Sequence, residues 1–296
     1  MNTISAKRFL KVSAALGEGP LWDGESIWFV DIMGKSINRV SMSPEGKAGA
    51  YETFPIDVMP GCMVPNEHGG FLVAAETGIY DFLPETGELG PLLKSVEMDE
   101  HLRFNDGKCD PQGRFLAGTM DTQGRRGRGT LYLLDHDWIV RPLLGEVSIS
   151  NGLAWSEDSR IFYYVDTPTS EVQAFSYDAE NGTISEGRTA FTISPDQGLP
   201  DGMTIDREGH LWIALWGGWA VGCWDPVSGE QLCRIEVPAE HVTSCCFCGP
   251  DLDILCITTA GAYQIVDEQG CAGDLFICRP GVQGYMASIF SERIDE

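Results

Sequence analysis

The sequence predicts an all-β chain folded as a single six-bladed β-propeller domain spanning residues 1–296. Three observations point there. A unit recurs: a polar segment, a short apolar run, a turn rich in Asp and Gly, then a second apolar run that opens on a large side chain. The opening side chains are Trp28, Phe71, Phe115, Phe162, Trp212 and Leu255, spaced 43, 44, 47, 50 and 43 residues apart. A near-constant period of this size, with several strands per unit, is the signature of a propeller. No long stretch shows the 3.6-residue periodicity of a helix, and 35 Gly and 16 Pro supply the many tight turns an all-β chain needs.

Taken in order, residues 6–16 read as one strand whose natural place is at the edge of the last blade, closing the ring. The six hairpins follow. They begin at Gly17-Glu18-Gly19-Pro20, Pro60-Gly61-Cys62-Met63, Phe104-Asn105-Asp106-Gly107, Ser150-Asn151-Gly152-Leu153, Leu199-Pro200-Asp201-Gly202-Met203 and Thr243-Ser244-Cys245-Cys246. A third strand follows each hairpin, at residues 36–40, 78–82, 129–134, 171–175, 220–224 and 274–277, and a fourth strand comes after. The ends of the second strands, among them Asp31, Glu76, Asp166 and Trp216, share a mouth with the starts of the first. Turn formation is the ordinary role for residues placed there.

The net charge of −24, from 20 basic and 44 acidic residues, disfavours nucleic acid and anionic membranes as partners. No apolar run reaches membrane-spanning length and no secretory segment is evident, so a cytoplasmic protein with reduced thiols is expected. Cys245-Cys246-Phe247-Cys248 lacks zinc-site spacing, and several of the ten cysteines, Cys223, Cys256 and Cys278 among them, alternate within strands and read as small buried hydrophobes. There is no Gly-x-Ser-x-Gly elbow and no phosphate-binding glycine loop, which argues against a serine hydrolase or a nucleotidase. Oligomeric state is left open.

The repeat register carries the chemistry. Glu18, Asn105, Asn151 and Asp201 precede their anchors by 10, 10, 11 and 11 residues. Equivalent positions in a propeller lie on a ring around the central channel, so these residues should converge at one mouth. Glu18, Asn151 and Asp201 are three oxygen donors, suited to one divalent cation: Ca²⁺, Mg²⁺ or Mn²⁺ foremost, with Zn²⁺ and Fe²⁺ open. A cation with open positions polarises a carbonyl and acidifies water, which suits ester or lactone hydrolysis. Asp201 could then ligate the cation and act as general base. Arg103 and Asn105 supply hydrogen-bond donors for a polyhydroxylated substrate. A Gly/Arg-rich loop, residues 121–128, stands at the same mouth and could hold an acidic product.

These stretches, with Gly118-Thr119-Met120 and Gly209-His210-Leu211-Trp212, resemble the senescence-marker-protein / gluconolactonase / luciferin-regenerating-enzyme family, in colinear order from about residue 15 to about residue 260. The resemblance implies a six-bladed propeller with one divalent metal ion in the channel, held by Glu18, Asn151 and Asp201. It implies substrate contacts from Arg103 and Asn105, and hydrolysis of sugar-acid lactones such as glucono-, xylono-, arabino- or galactonolactone. Regucalcin-like members place an acidic substrate-contacting side chain near position 123. Here Gln123 stands beside Asp121, so both are candidate substrate contacts and the substrate preference of those members does not carry over to this chain. Two other functions share this scaffold: a different metal-dependent esterase or organophosphate hydrolase, and a calcium-binding propeller without turnover.

Overall fold

Each recurring hairpin becomes the inner half of an antiparallel four-stranded sheet, and six such sheets surround a channel. This is seen in a computed structural model that describes residues 2–76, 78–263 and 270–292. From the channel outward, blade one is Gly17–Trp22, Ser26–Asp31, Ser36–Met42 and Ala48–Pro55. Blade two is Pro60–Pro65, Phe71–Ala75, Gly78–Leu83 and Glu88–Ser95. Blade three is Leu102–Cys109, Phe115–Asp121, Gly129–Leu134 and Val140–Val147. Blade four is Ser150–Trp155, Ile161–Asp166, Glu171–Asp178 and Thr183–Thr192. Blade five is Leu199–Ile205, Leu211–Trp216, Ala220–Trp224 and Gln231–Glu236. Blade six is Val242–Cys248, Ile254–Thr259 and Leu275–Cys278, completed by Lys7–Leu10. All six expected third strands form.

The N-terminus differs from expectation in two ways. Only Lys7–Leu10 is the closing strand, antiparallel to Leu275–Cys278. The expected single strand stops there because Asp274 Oδ1 takes the N–H groups of Val12 and Ser13, at 2.9 and 3.1 Å, and Ser13 turns the chain with φ 60°. The second difference is an extra strand, Asn2–Ser5, which lies parallel to Gln231–Glu236 at the outer edge of blade five. Residues 2–10 therefore staple blade five to blade six. On the channel side the ring closes where Thr243 Oγ1 donates to Gly17 O at 2.6 Å.

The core lies between the blades. All six anchors are buried, and Trp28 packs on Phe71 with ring centroids 4.8 Å apart, joining blade one to blade two. Truncating such a ring costs about 3–5 kcal/mol. Outer strands such as Ala48–Pro55 are mostly exposed. Cys62, Cys109, Cys223, Cys245 and Cys256 are buried free thiols, as their placement among apolar residues implies. Among the described residues no helix is long and apolar enough to cross a membrane.

Two features position the site. Every inner strand has a register shift near its start, between Glu18 and Leu21, Pro60 and Cys62, Phe104 and Gly107, Asn151 and Leu153, Pro200 and Met203, and Val242 and Ser244. A bulge of this kind bends the strand and re-aims its side chains, here around the channel. At the opposite mouth, the C-terminal segment bridges Gly284 to Asp206 of blade five and Phe290 to Asn66 of blade two. A cavity of about 310 Å³ lies between this strap and the inner strands.

Candidate active site

The bulges bring Glu18, Asn105, Asn151 and Asp201 to the same end of four inner strands, each buried at 4–7% exposure. A hydrogen-bond chain joins three of these blades. Arg103 Nη1 donates to Asn105 Oδ1 at 2.9 Å and to Phe104 O at 2.8 Å. Asn105 Nδ2 donates to Asn151 Oδ1 at 2.9 Å and to Ser150 O at 2.8 Å. Asn151 Nδ2 donates to Thr167 Oγ1 at 2.7 Å, and Thr167 Oγ1 donates to Pro200 O at 2.8 Å, next to Asp201. The inner strands approach closely enough that a Cβ at Gly152 would lie 2.7 Å from Met203 Cβ and 2.8 Å from Asp201 O. Only glycine fits there.

Charge is concentrated and poorly compensated. Burial, reinforced by the nearby Asp106 carboxylate, pushes Glu18 up to about 8. Burial also raises Asp201 well above the usual carboxylate range, with Glu18 and Asp106 adding to the effect. Asp106 is itself raised by burial, opposed by Lys108 and by the Gly107 N–H. Burial lowers the Arg103 guanidinium, and Glu18 opposes that shift. Like charges packed in a dry channel hold protons unless a cation neutralises them. Two buried carboxylates with an amide oxygen beside them are a hard-cation donor set, so the residues present fit the divalent metal that the sequence implies.

Asp106 is the functional candidate that the repeat register missed. It follows Asn105 in the register shift between Phe104 and Gly107, and its carboxylate acts on both Glu18 and Asp201. The rim residues behave differently. Asp121 accepts from the N–H of Gln123 at 2.7 Å and from Arg125 Nε at 2.7 Å. Gln123 Nε2 lies 3.3–3.4 Å from the His101 ring nitrogens. Both stand at the mouth on the 121–128 loop, joined to each other and not to the Arg103–Asn105–Asn151 chain. Arg125 and Arg128 pair with Asp99, at 3.8 and 3.1 Å. A further cluster, Asp206, His210 and Cys223, has its ligand atoms within 4.8 Å of one another, but it lies at the turn end of blade five, away from this mouth.

The chain matches the family model of the SMP-30/Gluconolactonase/LRE-like region over residues 16–261. It belongs to this family. Regucalcin of Danio rerio is 38% identical over 276 residues, covering 92% of this chain and 91% of that protein. A Bacillus subtilis (strain 168) protein, YvrE, named as a provisional sugar lactone lactonase, is 37% identical over 284 residues, covering 94% and 96%. The crystal structure of a calcium-binding regucalcin from Agrobacterium tumefaciens superposes with a TM-score of 0.89 at 26% identity, covering 99% of both chains. In this SMP-30/gluconolactonase chain the matched region begins beside Glu18 and ends after the inner strands of all six blades, so it includes the whole candidate site.

Proposed function

We propose that this protein hydrolyses sugar-acid lactones to the open aldonic acids at the bulged mouth of the channel, with one divalent cation held by Glu18, Asn151 and Asp201. The observation that carries the proposal is the convergence of two buried, mutually repelling carboxylates with a hydrogen-bond chain ending in Arg103. The name of the Bacillus subtilis relative supports the substrate class. The calcium-binding description of the Agrobacterium structure supports a cation. When bound, the cation would polarise the lactone carbonyl and acidify the attacking water.

The chain's own residues do the rest. Asp201, ionised once the site is neutralised, accepts the proton of water as it adds to the carbonyl, and returns it to the ring oxygen as the C–O bond breaks. Lactone and water give hydroxyl and carboxylic acid, with nothing left over. Arg103 keeps guanidinium donors beyond those engaged on Asn105 and Phe104, and these can hold substrate hydroxyls. Asn105 fixes Asn151, and so acts through it as well as on substrate. Asp121 and Gln123 would contact the sugar from the rim.

The test is hydrolysis of a panel of aldonolactones by metal-stripped protein with single cations restored. Turnover that needs a cation supports the proposal. A protein that binds a cation tightly yet accelerates no lactone would be a binding propeller instead.

A further inference from the structure

Each inner strand is an edge strand, so its channel-side N–H and C=O groups have no ladder partner. Lys108 answers part of that need. It lies on the inner strand of blade three, just past the bulge of Asn105 and Asp106. Its Nζ donates to Leu153 O at 2.9 Å and to Met203 O at 2.8 Å. Leu153 and Met203 are the first paired residues after the bulges that carry Asn151 and Asp201. One ammonium therefore spans three blades at the level directly beneath three of the site residues. Asp106 keeps it company: burial draws the Lys108 ammonium down, and the Asp106 carboxylate opposes this.

We propose that Lys108 is a positioning residue, an internal cation that clamps the inner strands of blades three, four and five and so sets the spacing of Asn105, Asn151 and Asp201. The proposal rests on taking those residues as the cation site, but the clamp itself can be measured without any cation. Two directional hydrogen bonds from one tetrahedral ammonium fix a distance between strands, where apolar packing fixes only an area. Removing the ammonium takes the donor from the Leu153 and Met203 carbonyls and the opposing charge from Asp106.

The experiment is Lys108→Met, which keeps the stem and removes charge and donors. Hydrogen exchange of the cation-free protein is expected to speed up in peptides covering residues 150–155 and 199–205, with 17–22 and 60–65 unchanged. Ca²⁺ and Mn²⁺ affinities, measured by calorimetry, are expected to fall about 10- to 100-fold, the usual scale for residues that orient ligands. Lys108→Gln, a milder change, should show the same pattern at smaller amplitude if Lys108→Met does not fold. In Lys108→Ala, propylammonium should restore protection where propan-1-ol does not, since Lys108 lines the cavity at the far mouth and the ion can enter there. Exchange that is unchanged, or faster in all six blades alike, would overturn the clamp. Wild-type protein that binds no cation would defeat the cation site and leave the exchange result to judge the clamp.

Discussion

Asp201 and Asp206 stand at the two ends of one inner strand, and the contrast between them separates scaffold from chemistry. Asp206 Oδ1 accepts the N–H groups of Glu208 and His210, each at 2.9 Å, and Oδ2 accepts Trp212 Nε1 at 2.9 Å. The same device recurs in blade one, where Asp23 takes the N–H groups of Glu25 and Ser26 and the indole of Trp28. In blade three Asp110 takes the N–H groups of Gln112 and Arg114 and the guanidinium of Arg114. Asp201 is buried to a similar degree, yet it faces Glu18 and Asp106 and is offset by the N–H of Gly202. A carboxylate whose lone pairs are filled by its own turn holds the blade together. One held among like charges is poised for a ligand.

That contrast can be broken most severely at Asp201. Asp201→Asn should lower kcat by about 10²–10⁴-fold while the melting temperature stays near wild type or rises, because a buried repulsion is relieved. Steady-state kinetics with a melting curve on the same sample checks both halves. Asp206→Ala should do the reverse, costing about 2–4 kcal/mol of stability with kcat per folded molecule unchanged, since it strands two N–H groups and an indole. Denaturant titration alongside kinetics reads this.

The pH dependence sharpens the same point. Glu18 is raised to about 8 in the folded protein, so the native state holds a proton that the unfolded chain has already released. Without cation, stability should therefore fall as pH rises from the ordinary carboxylate range to about 8, by up to roughly 1.4 kcal/mol per pH unit for each such group. Asp201 and Asp106 share the sign. Saturating cation should flatten the trend, and melting curves with chelator or with cation across pH show it. A smaller effect belongs to Arg103→Ala, expected to raise KM for a hydroxylated lactone about tenfold through lost donors and a slackened Asn105. The smallest belongs to Asp121→Ala, which breaks the Asp121–Arg125 pair at the rim and should shift KM only a few-fold.

The blades were legible in the sequence because one buried side chain must recur at each blade interface, and Trp28 through Leu255 keep that period. The ring residues were legible for the same reason: Glu18, Asn105, Asn151 and Asp201 precede those anchors by 10 or 11 residues. Asp106 escaped because a bulge adds a residue that a constant offset does not count. The parallel strand Asn2–Ser5 escaped because its partner, the outer strand of blade five, is more than two hundred residues away and its own side chains are mostly exposed. Lys108 escaped because its partners are backbone carbonyls, which no side-chain pattern marks.

The most direct test of the central claim is a pH-indicator assay of aldonolactone hydrolysis by metal-stripped protein, with single divalent cations restored and Asp201→Asn in parallel. The expected result is turnover above the spontaneous rate that needs a cation and vanishes in the variant. Hydrolysis that proceeds equally without a cation, or equally in Asp201→Asn, would contradict a reaction carried by the carboxylates of the channel mouth.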